Sequence, residues 1–232
     1  MPFFRERAKL SRTRFQQELA AVKDKILAMA ALAQESVSSA LEAYLLRDEQ
    51  LCEFVKRTER AINSAQREID EMTCTLLAQE QPMAVDLRFL LAVIKINRDL
   101  ERIGDLAMNI RRRTREIMGT YPADLRVDFA KMGLVVDRMI RSAIRALLEG
   151  DACLADVIRE MDDEVDRMNC QAHDALLHFI GENPQCARQA VAGILVAKSL
   201  ERIADHASNI AVDVIFWIRA ADVRHELAPD LD

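Results

Sequence analysis

The sequence contains few of the residues that bend or interrupt a chain. Among its 232 residues glycine occurs 6 times and proline 5 times, and aromatic residues make up only 5%. Hydrophobic residues make up 50% and charged residues 30%, with abundant Ala, Leu, Glu, Arg and Ile. This composition is typical of a helix-rich globular protein. No hydrophobic run approaches the ~20 residues that a membrane-spanning helix requires.

Cysteine and histidine are too scattered for several well-known sites. The five cysteines form no C-x-x-C pair, which disfavours a structural zinc site and favours reduced thiols. None of the four histidines belongs to a Glu-x-x-His motif, which ferritin-like di-iron enzymes need on two helices. The sequence also lacks a glycine-rich phosphate loop and a G-x-S-x-G elbow. We therefore predict that the protein is not an enzyme.

Positive charge is not in excess. Lys and Arg total 32 against 38 Asp and Glu, so the net charge is −6. A nucleic-acid-binding domain is normally basic, which argues against that class of partner. The N-terminus, Met1 to Lys9, lacks the apolar core of a secretory signal. We expect a cytoplasmic protein that is not inserted into a membrane.

Hydrophobic residues recur at steps of three and four along almost the whole chain. In the first long segment they are Phe15, Leu19, Val22, Ile26, Met29, Ala33 and Val37. Such spacing predicts amphipathic helices packed side by side. Turns and prolines divide the chain into six helices, predicted over about 13–47, 49–79, 82–118, 124–148, 152–179 and 184–220. The fold class is therefore all-α, with two tandem antiparallel three-helix bundles that abut end to end or side by side.

One stretch is repeated closely. Leu100-Glu-Arg-Ile-Gly-Asp-Leu-Ala-Met-Asn-Ile110 returns 100 residues later as Leu200-Glu-Arg-Ile-Ala-Asp-His-Ala-Ser-Asn-Ile210. This repeat indicates an internal duplication, with one copy of the motif in the third helix of each bundle. We divide the chain into a flexible arm (1–12), a first bundle (13–120), a second bundle (121–220) and a C-terminal tail (221–232).

Each copy of the motif has an apolar stripe and an oxygen-rich ridge. In the first copy Glu101 and Asp105 lie one helical turn apart, and in the second copy Glu201 and Asp205 do. Like charges at this spacing destabilise a helix by roughly 0.2–0.5 kcal/mol, so a compensating cation is expected. Solvent or arginines, among them Arg102, provide the simpler compensation, and a metal ion the alternative.

The middle helix of each bundle offers a second pair of positions. In the second bundle these are Asp162 and Asp166, and in the first bundle Glu59 and Asn63, where one carboxylate is replaced by an amide. Because neighbouring helices of a bundle lie in contact, these residues can approach the motif helices. Clustered carboxylates are hard oxygen ligands that suit Mg, Ca, Mn or iron and can bridge two ions.

The repeated motif, the Arg47-Asp48 turn and the Gln81-Pro82 segment with Asp86-Leu87-Arg88 resemble the PhoU family over roughly residues 14–218. The resemblance implies two tandem three-helix bundles and clusters of iron or another divalent metal (Mn, Mg or Zn). The family's metal motifs fall on positions in both bundles: Glu59, Glu101, Asp105, Asp162, Asp166, Glu201 and Asp205. Asn63 departs from the family pattern.

The resemblance also implies a regulatory function. PhoU-like proteins link a phosphate ABC transporter, through its ATP-binding subunit, to a phosphate-sensing histidine kinase and repress the phosphate-starvation response when phosphate is ample. A homodimer is expected. Two alternatives stay open: an accessory protein of a different phosphate permease, and a carboxylate-bridged metalloenzyme.

Overall fold

The protein is described by a computed structural model that covers residues 2–80, 82–120, 123–151 and 153–220. The described chain contains six α-helices: α1 (Pro2–Leu46), α2 (Glu49–Glu80), α3 (Val85–Ile117), α4 (Phe129–Glu149), α5 (Leu154–Glu182) and α6 (Ala187–Arg219). A single 3₁₀ turn, Pro184–Cys186, precedes α6. The predicted all-α class with six helices is confirmed.

The largest differences from the predicted boundaries are at two helix starts. α1 begins at Pro2, so residues 2–12, for which we expected a flexible arm, are helical. α4 begins at Phe129 rather than near residue 124, because Asp128 caps it by accepting a hydrogen bond from the Lys131 amide at 2.8 Å. The predicted C-terminal tail, 221–232, lies outside the described residues.

Helices α1–α3 form the first bundle and α4–α6 form the second. The two bundles pack side by side, mainly through α3 against α6 and secondarily through α1 against α4. One continuous hydrophobic core therefore extends through both bundles. The apolar stripe of the repeated motif lies inside it, since Leu100, Ile103, Leu200 and Ile203 are all buried.

Contacts between α3 and α6 show that the two motif helices run antiparallel. Arg88 donates to the Trp217 carbonyl at 3.1 Å, and Lys95 pairs with Asp213 at 2.9 Å. Further along α3, Asp99 contacts His206 at 2.8 Å. As the residue number rises on α3 it falls on α6, so the two copies of the motif cross near the middle of the molecule.

The turn between α1 and α2 joins the two bundles. Asp48 caps α2 by accepting a hydrogen bond from the Gln50 amide at 2.6 Å. Arg47 has a left-handed backbone (φ 55°), and its guanidinium donates to the Thr120 carbonyl at 2.5 Å and to Gln189 Oε1 at 2.6 Å. These bonds hold the end of α3 and the start of α6 against the turn.

None of the helices in the described ranges combines the length and the apolar character that crossing a membrane would demand.

Candidate metal centre

The second bundle brings four predicted ligand residues together. Asp162 and Asp166 lie one turn apart on α5, and Glu201 and Asp205 lie one turn apart on α6. α5 and α6 pack against each other, so the two pairs face across one groove. One carboxylate oxygen each from Asp166, Glu201 and Asp205 lies within 4.8 Å of the others. We call Asp162, Asp166, Glu201 and Asp205 the α5–α6 acidic cluster.

Two oxygens of the cluster are buried without a partner among the described residues. They are Asp162 Oδ1 and Glu201 Oε2. The other oxygen of Glu201 accepts a hydrogen bond from the Lys198 ammonium at 2.6 Å, and the Glu201 side chain is only 12% exposed. A buried oxygen that makes no hydrogen bond is costly, so this arrangement leaves coordination positions that a cation would satisfy.

The electrostatics of the cluster also favour a bound cation. Burial, reinforced by the charge of Asp205 and of Asp166, raises the pKa of Asp162 from 3.8 to about 6, although the Ser208 hydroxyl opposes the increase. Burial, followed by the charge of Glu201, also raises the pKa of Asp166 and of Asp205. The Lys198 ammonium acts against the increases at Asp166 and Asp205 but does not cancel them. Four carboxylates with one lysine are thus short of positive charge.

The first bundle differs at its middle helix. Asn63 donates from Nδ2 to Glu59 Oε1 at 2.6 Å, one turn apart on α2. The amide thus satisfies the carboxylate oxygen that a metal would otherwise bind. Asn63 adds no charge of its own, so this pair on α2 has one carboxylate where the pair Asp162 and Asp166 on α5 has two.

The motif carboxylates of the first bundle are also compensated within the protein. The Arg102 guanidinium lies 3.6 Å from Glu101 and 3.3 Å from Asp105. Burial and then the neighbouring Asp105 raise the pKa of Glu101, while Arg102 opposes that increase. The simpler compensation considered from the sequence, an arginine, is therefore present in this bundle. In the described ranges the α5–α6 cluster is the one place where three acidic, histidine or cysteine side chains converge closely enough to hold an ion.

The α5–α6 acidic cluster fits a hard cation. Its donors are all carboxylate oxygens, which suit Mg²⁺, Mn²⁺, Ca²⁺ or iron better than copper or structural zinc. The ion would be held by Asp166, Glu201 and Asp205. Asp162 lies one turn from Asp166 and has an oxygen without a hydrogen-bond partner. A bound cation would supply positive charge that neutralises and rigidifies the α5–α6 groove.

His206 makes a contact between the two bundles. Its ring is half-buried, and its Nδ1 contacts Asp99 Oδ1 at 2.8 Å. The partner lies 107 positions away, so only the packing of α3 on α6 brings it near. No local sequence pattern marks this pair.

Comparison with known proteins agrees with the fold. The sequence model of the PhoU domain matches the chain twice, over residues 26–114 and 129–214. The chain belongs to the PhoU family. The two PhoU matches fall one in each bundle, as the internal repeat leads one to expect.

Two curated PhoU relatives are similar to the chain over most of its length. Both bear the name phosphate-specific transport system accessory protein PhoU homolog. The protein from Pseudomonas putida is 37% identical over 91% of this chain and 83% of its own length. The protein from Pseudomonas aeruginosa is also 37% identical, over 91% of this chain and 88% of its own length.

Two solved PhoU structures are also similar. The crystal structure of PhoU from Pseudomonas aeruginosa superposes with a TM-score of 0.85 at 35% identity, covering 89% of this chain and all of that one. The phosphate transport regulatory protein PhoU from Streptococcus pneumoniae superposes with a TM-score of 0.81, covering 89% of this chain and 98% of that one. Because the second structure is only 24% identical in sequence, its similarity supports the fold alone.

Proposed function

We propose that this chain is a non-enzymatic regulator of phosphate uptake and of phosphate-starvation signalling. It links a phosphate ABC transporter, through the ATP-binding subunit, to a phosphate-sensing histidine kinase and represses the starvation response when phosphate is ample. The observation that carries the proposal is the 37% identity, over 91% of the chain, to relatives named as accessory proteins of the phosphate-specific transport system. The protein acts in the cytoplasm as a homodimer.

The α5–α6 acidic cluster is the metal centre of this regulator in our proposal. Its support is the convergence of three carboxylates within 4.8 Å and the two buried oxygens that no described residue satisfies. The metal is iron or another divalent ion such as Mn, Mg or Zn. When bound, it supplies the charge that lets this acidic groove form part of a partner-binding surface.

A pull-down with the purified ATP-binding subunit and the kinase tests the linking role. We compare the wild-type chain with the double variant Glu201→Ala plus Asp205→Ala, each loaded with Mn²⁺. The matched control is Asp174→Ala plus Glu182→Ala, which removes two carboxylates from exposed positions on α5 outside the cluster. We expect both partners to bind the wild type and the control, and to bind the cluster variant at least ~tenfold more weakly.

Two outcomes would count against the proposal. If the wild-type chain retains neither partner, the linking role is wrong. If the cluster variant binds as strongly as the control, the cluster takes no part in partner recognition, whatever metal it holds.

The non-enzymatic role has its own test, because a carboxylate-rich site in a helical bundle is also the setting of oxygen-activating iron enzymes. The described chain has no histidine beside the α5–α6 cluster other than His206, whose Nδ1 contacts Asp99. We expect a metal-free preparation reconstituted with ferrous iron to consume oxygen no faster than the Glu201→Ala plus Asp205→Ala variant. Catalytic oxygen consumption by the wild type alone would favour the enzyme.

A further inference from the structure

A second polar site lies between the two bundles, away from the α5–α6 acidic cluster. The groove where α3 crosses α6 contains an open cleft of about 440 Å³. We call it the α3–α6 cleft. Its lining side chains are mainly charged or polar: Lys95, Arg98, Asp99, Arg102, His206, Asn209 and Asp213.

The carboxylates of the cleft already have partners within the protein. Asp99 contacts the His206 ring at 2.8 Å, and Asp213, which is 6% exposed, pairs with the Lys95 ammonium at 2.9 Å. Arg98 is exposed and forms no ion pair with any residue in the part of the chain that is described. Three permanent cations, Lys95, Arg98 and Arg102, line the cleft, and Lys95 is already paired with Asp213, so Arg98 and Arg102 are the cations that an anion would meet.

Arg102 can also be recruited to the cleft. Its contacts with Glu101 at 3.6 Å and with Asp105 at 3.3 Å are longer than the 2.7–2.9 Å usual for charge-assisted hydrogen bonds. The side chain is 47% exposed, so those ion pairs are weak and their exchange for another anion changes little. Arg98 lies one turn before Arg102 on α3, so the two guanidinium groups project along the same side of the helix. The Asn209 amide on α6 offers a further donor.

We propose that the α3–α6 cleft binds a small phosphoryl oxyanion through Arg98 and Arg102. Planar guanidinium groups match the oxygens of a phosphoryl group with paired hydrogen bonds, which chloride cannot accept in the same way. The cleft volume falls within the range of small-molecule sites and exceeds what inorganic phosphate alone fills. It therefore accepts either free phosphate or the phosphoryl group of a small organic phosphate. This inference does not rest on the proposed function.

Isothermal titration of the full chain tests the cleft. The protein is first stripped with EDTA, so that binding through a metal does not contribute, and ionic strength is held constant with chloride. The probes are inorganic phosphate, AMP and sulfate. The cleft variant is Arg98→Gln plus Arg102→Gln, and the matched control is Arg112→Gln plus Arg115→Gln, which removes two exposed arginines from the same helix outside the cleft.

We expect saturable binding of phosphate to the wild type and the control, with a dissociation constant on the order of 1 mM or tighter. The cleft variant should bind at least ~tenfold more weakly. Tighter binding of AMP than of phosphate would identify organic phosphates as the source of the phosphoryl group, and the reverse order would identify free phosphate.

The proposal is overturned if the wild type shows no saturable binding of phosphate or AMP. It is also overturned if the cleft variant and the control lose affinity equally, because the effect is then one of overall charge. Equal affinity for sulfate supports an oxyanion site without preference for phosphate. Circular dichroism of both double variants checks that the fold is intact.

Discussion

Replacing Asp162 by asparagine should stabilise the protein when no metal is present. In the folded chain the pKa of Asp162 is raised from 3.8 to about 6, first by burial and then by the charge of Asp205. A carboxyl group with a raised pKa favours folding while it is protonated, so this contribution is fully present below about pH 3.8. It is lost as the pH rises through about 6.

The size of the effect follows from the same values. A rise from 3.8 to about 6 corresponds to about 3 kcal/mol of unfavourable free energy at neutral pH. Asp162 is only half-buried, and solvent screens part of its repulsion with Asp205, so we expect about 1–2 kcal/mol. Asp162→Asn should therefore increase the free energy of unfolding by about that amount at pH 7.5 in EDTA. At pH 4, where the native carboxyl is neutral, the gain should nearly vanish.

Urea denaturation followed by circular dichroism measures this difference. The control is Asp174→Asn, which removes one charge from an exposed position on the same helix and should change stability by less than about 0.5 kcal/mol. With saturating Mn²⁺ the gain should shrink, because the wild type can offer the ion a fourth carboxylate whereas the variant offers only Asp166, Glu201 and Asp205. An Asp162→Asn protein that is no more stable than the wild type at pH 7.5 in EDTA would refute the reasoning.

Two further predictions concern packing and the first bundle. A methyl group on Gly193 would meet Phe129 at 3.1 Å and Leu176 at 3.2 Å, so Gly193→Ala should lower the free energy of unfolding by about 1–3 kcal/mol in a urea titration. A methyl group on the helical residue Gly181 would meet nothing within 4 Å, so Gly181→Ala should raise the free energy of unfolding by up to about 1 kcal/mol. Changes of the same sign in the two variants would contradict the packing described. Asn63→Asp removes the hydrogen bond to Glu59 and adds a like charge, so it should destabilise the metal-free protein by about 1 kcal/mol. Added Mn²⁺ should stabilise this variant by more than it stabilises the wild type, whose only response comes through the α5–α6 acidic cluster. Equal stabilisation of the two proteins would show that the first bundle cannot form a site even with the carboxylate in place.

The helices were predictable because their signals are local. The three- and four-residue spacing of Val22, Ile26 and Met29 is enough to place one face of α1 in the core, where all three are buried. The cap at Asp48 depends only on the residues beside it. The start of α1 was missed because Phe3, Phe4 and the basic residues near them form no regular stripe, although the backbone is helical there.

The arrangement of the two bundles depends on contacts between distant residues. The 100-residue repeat predicts two similar units but does not distinguish end-to-end from side-by-side packing. Two contacts exist only because α3 crosses α6 in the antiparallel sense: that of Asp99 with His206 and that of Lys95 with Asp213. The α3–α6 cleft is created by that crossing, and its cations look like ordinary helix-surface charges in the sequence.

The acidic residues were identified from spacing and resemblance, but the difference between the bundles required side-chain positions. Asn63 was recognised as a departure from the pattern, and its hydrogen bond to Glu59 gives the physical reason. The role of Arg102 was considered only as one of several compensations, since sequence alone does not show which carboxylate an arginine approaches.

Elemental analysis is the most direct test of the central claim, that the α5–α6 acidic cluster is the metal centre of this protein. The chain is purified without chelators or an affinity tag and analysed beside Glu201→Ala plus Asp205→Ala and Glu101→Ala plus Asp105→Ala. We predict about one or more metal ions per chain in the wild type, nearly complete loss in the first variant and most of the metal retained in the second. A wild type without stoichiometric metal, or equal metal content in all three proteins, would contradict the claim.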